Sequence, residues 1–91
     1  MLDEVKSRCG ILSAVTVYDD EIQALINDAL EDLALSGVDE ALIKEPIPGV
    51  VTAVVLYVRA YLGNDRSDTT KYMNLYRQKV FRLALADDGE E

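Results

Sequence analysis

Residues 20–37 read DEIQALINDALEDLALSG, and the placement of their apolar letters decides the fold class. Ile22, Leu25, Ile26, Ala29, Leu30 and Leu33 fall at i, i+3, i+4, i+7, i+8 and i+11. A helix gathers those positions into one stripe, whereas a strand would scatter them over both faces. Asp28, Glu31 and Asp32 lie off the stripe and are expected to face outward. Asp19 or Asp20 stands where a helix takes its N-cap, and Asp20 with Gln23 has capping-box spacing. The acids of this first turn also suit the positive end of the helix dipole. Gly37 falls where a helix ends on a left-handed residue.

Two further segments lie downstream. Residues 46–62, PIPGVVTAVVLYVRAYL, hold Val50, Val51, Val54, Val55 and Val58, a β-branched set that favours strand. Yet Val51, Val54, Val55, Val58 and Leu62 repeat at helical spacing, and the run is longer than an ordinary strand. Pro46 and Pro48 stand in first-turn positions, and Gly63 stands at a helix stop. The segment is therefore predicted to be a central, largely buried helix. Ser67–Leu85 reads as a third long helix, capped by Ser67 or Asp68. Tyr72, Leu75, Tyr76, Val80 and Leu83 trace its main face, and Lys79 interrupts it. Phe81 and Leu85 on its flank are an apolar surplus able to pack a further neighbour, including another chain. Residues 2–9 form a short leading helix with Leu2, Val5 and Cys9 a turn apart. The link GILSAVTVY, residues 10–18, is apolar for a loop and is expected to lie against the core. The predicted fold is all-α, a small bundle of three long helices plus a short N-terminal helix. It comprises one domain over residues 1–86 and an acidic, disordered tail over 87–91.

Composition narrows the function. A chain of 91 residues is one domain, and 49% hydrophobic with 29% charged residues is globular composition. Seventeen acids against nine bases give a net charge of −8. That balance argues against nucleic acid or an anionic membrane as the partner of the whole surface. With no His and one Cys, a His-based triad, a His metal site, a zinc ribbon and an internal disulfide are excluded. Cys9 reads as a small buried apolar residue or a free thiol. The most apolar stretch, Val50–Leu62, holds Thr52 and Arg59 and is too short to span a bilayer. Residues 1–9 mix acids and bases with no apolar run, unlike a secretory signal, so a cytoplasm is the expected place of synthesis. There is no GxGxxG, no GxxxxGK[ST] and no calcium-loop spacing. Ser36 precedes Gly37 at a helix end, unlike the attachment serine of carrier proteins. Tyr57, Tyr61, Tyr72 and Tyr76 recur at i, i+4, as packing residues do. No nucleophile–base pair is visible, so no catalytic residue, cofactor or metal is expected.

Charge is distributed unevenly. Residues 1–45 carry −8, residues 46–86 carry +4 and residues 87–91 carry −4. One reading is two solvated faces of opposite sign. The other is head-to-tail packing, in which the acidic face of one subunit, with Asp28, Glu31 and Asp32, meets the basic face of the next. That second face comprises Lys71, Arg77, Lys79 and Arg82, with Phe81 and Leu85 adding apolar contact. Unlike patches meeting in rotation close into a ring, and opposite charge sets their register.

The order of four segments carries a family likeness: LDEVKSRCGI at 2–11, DDEIQALINDALEDLALSGV at 19–38, IPGVVTAVVLYVRAYLGND at 47–65 and KYMNLYRQKVFRLAL at 71–85. Asp19-Asp20-Glu21-Ile22 leading to Leu33 contributes most, with Tyr57…Tyr61-Leu62-Gly63 followed by Tyr72…Tyr76…Lys79. Over residues 2 to 85 the chain resembles the small head–tail connector (adaptor) proteins of long-tailed bacteriophages, also labelled DNA-packaging or head-completion proteins. It departs from them at Pro46-Ile47-Pro48-Gly49, where a single proline after an acid is more usual. The resemblance implies a structural virion protein that assembles with itself into a ring of about a dozen copies. Such a ring docks under the phage portal protein at the head–tail junction. It extends the DNA channel and presents a surface to the tail-proximal neck protein. The resemblance implies no cofactor, no catalysis and no membrane. A net acidic subunit suits a channel through which DNA slides, because like charge repels phosphate. The alternative reading is a small acidic helical protein-binding module, a regulator or an inhibitor that imitates nucleic acid through Asp28, Glu31 and Asp32.

Overall fold

The computed structural model describes residues 1–62 and 66–89, which form five helices in chain order. They are α1 (Leu2–Arg8), α2 (Asp19–Leu35), α3 (Glu40–Lys44), α4 (Pro48–Leu62) and α5 (Arg66–Gly89). The fold is all-α, and no strand occurs among the described residues. The short leading helix and the three long helices are all present. The single turn α3 is an addition that periodicity did not reveal. Asp39 starts it, its Oδ1 accepting a hydrogen bond from the Ala41 N–H at 3.1 Å. Pro46, which lacks an N–H, stands just beyond its end.

α4 is the centre of the bundle. Val50, Ala53, Val54 and Val58 are wholly buried, and Val51, Val55 and Ala60 nearly so. α5 and α2 both pack along α4, and α1 lies across α2 and α4. Burial on so many sides overrides the strand propensity of the valines, since helix propensities of ordinary residues differ by only about 0.7 kcal/mol. The helix begins at Pro48, not Pro46. A residue before proline is pushed out of the helical region, so Ile47 stays outside. Its carbonyl oxygen accepts from the Val50 and Val51 N–H groups at 2.9 and 3.1 Å. Gly49 allows α5 to cross closely over this first turn, for a Cβ there would stand 3.1 Å from Leu83 Cδ2. The proposed stop at Gly63 lies outside the described residues.

α2 ends as its sequence demands. Gly37 has φ +99°, its N–H donates to the Ala34 carbonyl at 3.2 Å, and the Val38 N–H reaches the Leu33 carbonyl at 3.1 Å. That pair of bonds is a Schellman closure, and Val38 and Leu33 are both buried beside it. The start of α2 differs from expectation. Tyr18 is the N-cap, Asp19 is already helical, and no side chain caps the helix. Gln23 donates to Asn27 Oδ1 at 3.0 Å rather than completing a capping box. Asp19 is drawn instead to a partner on α1, described below.

The link 10–18 also differs from expectation. Ile11 packs against the core, but Leu12 is 74% and Val17 78% exposed, and Val15 and Tyr18 are exposed as well. On α5, Tyr76, Val80 and Leu83 are buried, while Leu75 stands in solvent. α5 is already helical at Arg66, so Asp68 lies within its first turn and not at a cap. The Ser67 side chain and residues 90–91 of the acidic tail lie outside the described residues.

Candidate functional site

The candidate interface residues sort into two exposed faces and one internal bond. Asp28 and Glu31 are exposed on α2, with Asp20 and Glu21 in its first turn also exposed. Asp32 differs from these two. It is half-buried and accepts a hydrogen bond of 2.6 Å from the Tyr76 hydroxyl of α5. It therefore ties two helices together instead of joining the outward acids. Burial, and then the bond to Asp32, pushes the Tyr76 hydroxyl far above the usual tyrosine range. The phenol thus stays protonated as the donor of this bond.

The tyrosines form one packed group beside this bond. The Tyr57 ring stands edge-on to Tyr76 at 5.2 Å between centroids and tilts against Tyr61 at 4.8 Å. Burial raises the Tyr57 hydroxyl, helped by Tyr61, Asp28 and Asp32. On the far side the Arg59 guanidinium lies 4.8 Å from the Tyr72 ring centroid, a cation–π contact. Packing geometry accounts for the i, i+4 recurrence of these residues.

On α5, Lys71, Arg77 and Arg82 are exposed and Lys79 is half-buried. Lys79 interrupts the apolar stripe without harm because its stem lies over Gly49, with Cε 3.6 Å from the position of a Cβ there. Phe81 is 66% exposed and Leu85 half-exposed. Phe81 borders a cleft of about 210 Å³ between the end of α2 and α5, lined also by Asp32, Ser36, Arg77 and Ala84. Among the described residues the ion pairs are Lys6–Asp19 and an exposed Lys44–Glu40 contact of 3.8 Å. Asp28, Glu31, Lys71, Arg77, Lys79 and Arg82 thus make no ion pair among the described residues.

Lys6 is the residue that sequence reasoning missed. It is 1% exposed, the one charged residue buried among those described. Its Nζ donates to the carbonyl oxygens of Ser13 at 3.2 Å and Val15 at 2.7 Å, and lies 2.7 Å from Asp19 Oδ1. The Asp19 contact is ionic in character, since Oδ1 takes no aligned hydrogen bond. Two carbonyl oxygens take hydrogen bonds from the ammonium group, and the carboxylate balances its charge. A signal was present: Leu2, Val5, Lys6 and Cys9 stand at i, i+3, i+4 and i+7, so Lys6 falls on the buried face of α1.

These groups hold and present surfaces; they do not form a proton-transfer set. Burial raises the Cys9 thiol against the opposing pull of Arg59 and Arg8, which disfavours a reactive thiolate. No group of three or more His, Cys, Asp or Glu among the described residues is placed to hold a metal ion. No described helix is long and apolar enough to cross a membrane. Compared with known proteins, residues 1–90 match a family model described as phage connector protein. No curated protein and no solved structure matches the chain.

Proposed function

Because the chain belongs to the phage connector protein family, a family of structural phage proteins, we propose that it is a subunit of a ring at the head–tail junction of the virion. The ring docks under the portal protein, extends the DNA channel and offers its other end to the tail-proximal neck protein. About a dozen copies would close it. Residues 1–86 are the working domain and 87–91 an acidic tail. DNA passes without specific binding, since acidic side chains in a lumen repel phosphate.

The observation that carries this reading is the pair of charged faces left unmatched among the described residues. Asp28 and Glu31 stand outward on α2, and Arg77 and Arg82 stand outward on α5, with no ion pair among the described residues. A neighbour related by rotation would bring the two together and set the register of the joint. The nucleic-acid-imitating module is less well supported, because Asp32 is half-buried against Tyr76 and only Asp28 and Glu31 of the three acids stand fully outward.

Native mass spectrometry at high protein concentration tests the ring, and a closed oligomer is the expected species. A chain that stays strictly monomeric even with the portal protein present would refute it. Reversing Arg77 and Arg82 to glutamate should weaken assembly and leave far-UV helicity intact. Unchanged assembly at low salt would remove these two bases from the joint.

A further inference from the structure

Residues 9–18, CGILSAVTVY, contain no charged side chain, and Leu12, Val15, Val17 and Tyr18 stand in solvent. An apolar strip of this kind marks an interaction surface more often than idle loop. The strip is also fastened from beneath. Lys6 Nζ holds the Ser13 and Val15 carbonyl oxygens and Asp19. The Val15 N–H bonds to the Leu12 carbonyl at 3.0 Å, and the Asp19 N–H to the Thr16 carbonyl at 3.1 Å. These backbone groups are thus bonded within the fold while the Leu12, Val15, Val17 and Tyr18 side chains remain outward. A surface held in shape beforehand loses less entropy when a partner binds.

A second apolar set, Phe81 and Leu85, is exposed on α5. The charges around the two sets are complementary. Exposed Asp20 and Glu21 follow the strip, and Glu21 lines a cleft with Ile11 and Tyr18. Exposed Arg77 and Arg82 flank Phe81, beside a cleft of about 210 Å³ that has room for one large apolar side chain.

We propose that loop 12–18 of one copy docks on the Phe81–Leu85 face of α5 in a second copy, with Asp20 and Glu21 opposite Arg77 and Arg82. The contact joins unlike patches, so every copy keeps one free loop and one free α5 face until a ring closes. It rests on the ring reading and extends the acidic side of that joint from Asp28 and Glu31 to the first turn of α2 and the loop before it.

The test joins Val17→Cys with Leu85→Cys in a Cys9→Ala background and treats the protein with a short bis-maleimide. Native mass spectra are recorded on the same samples. A ladder of linked dimers, trimers and larger species is expected, with nothing beyond dimers from either cysteine alone. Phe81→Ser with Leu85→Ser should raise the dissociation constant of assembly at least tenfold at unchanged helicity. Oligomers that form without the ladder would overturn the docking and leave the ring standing. Monomers with no ladder even with the portal protein present would overturn both, and assembly that ignores the serine pair would overturn the docking.

Discussion

Replacing Lys6 with methionine keeps most of the apolar stem and removes the ammonium group. The side chain is 2% exposed, so no water stands ready to replace it, and its main partner Asp19 is 27% exposed. The variant leaves the Asp19 carboxylate without its cation and the Ser13 and Val15 carbonyl oxygens without their donor. Removing one partner of a buried pair costs about 3–5 kcal/mol. Water reaches part of Asp19, which places the loss near the lower end, about 3 kcal/mol. At roughly 4–8 °C per kcal/mol for a domain of this size, Tm should fall by about 12–24 °C. Urea unfolding followed by far-UV circular dichroism would measure it, together with Asp19→Asn and the double variant. Removing both charges should recover part of the loss, so the cycle should show a coupling of at least about 1 kcal/mol. Amide exchange at Val15 and Asp19 should quicken in Lys6→Met before exchange in α4 does. A loss under about 1 kcal/mol, or singles that merely add, would refute the role given to this ammonium in shaping the loop.

The remaining predictions concern the bundle itself. Tyr76→Phe removes the 2.6 Å bond to Asp32 and should cost about 1–2 kcal/mol in chemical denaturation; a neutral result would deny that bond any part in holding α2 to α5. Folding raises the Tyr76 and Tyr57 hydroxyls, so the native state holds these protons more tightly than the unfolded chain. Their contribution is complete below about pH 10 and is lost as pH climbs above it. Thermal midpoints taken from neutral to strongly alkaline pH should fall at the alkaline end, and a flat profile there would contradict the assignment. Leu33→Ala, at a wholly buried site, should cost about 2–5 kcal/mol, and Leu30→Ala clearly less because Leu30 is only half-buried. Equal losses in urea unfolding would show that the two sites are packed alike.

Much of the fold was legible in the chain because the relevant signals are local. The apolar stripe Ile22, Leu25, Ile26, Ala29, Leu30 and Leu33 is a matter of 3.6-residue periodicity; four of the six are buried, and Leu25 and Leu30 are half-buried. Gly37 closes α2 because a left-handed residue is needed there, whatever surrounds it. The valine run of α4 was resolved by spacing against propensity, and the exposed surplus at Phe81 and Leu85 was anticipated from the same wheel. The one-turn α3 was too short for periodicity, and its only marker was the capping residue Asp39.

The polar interior was a different matter, and it reshaped the candidate interface. Asp32 was read as an outward acid, yet it meets Tyr76 across 44 positions of sequence. Asp19 was read as a cap, yet it serves a buried lysine contributed by α1. The apolar link 10–18 is expected to lie against the core, yet only Ile11 packs there, while Lys6 anchors the Ser13 and Val15 carbonyl groups and Leu12, Val15, Val17 and Tyr18 face water. Periodicity and turn chemistry act within a few residues, so helix identity, the buried stripe and the glycine stop follow from letters alone. Which charge is buried, and which apolar residue is left outside, depends on how distant helices meet. A lone ammonium or carboxylate is tolerated inside only when packing delivers its partners from elsewhere in the chain.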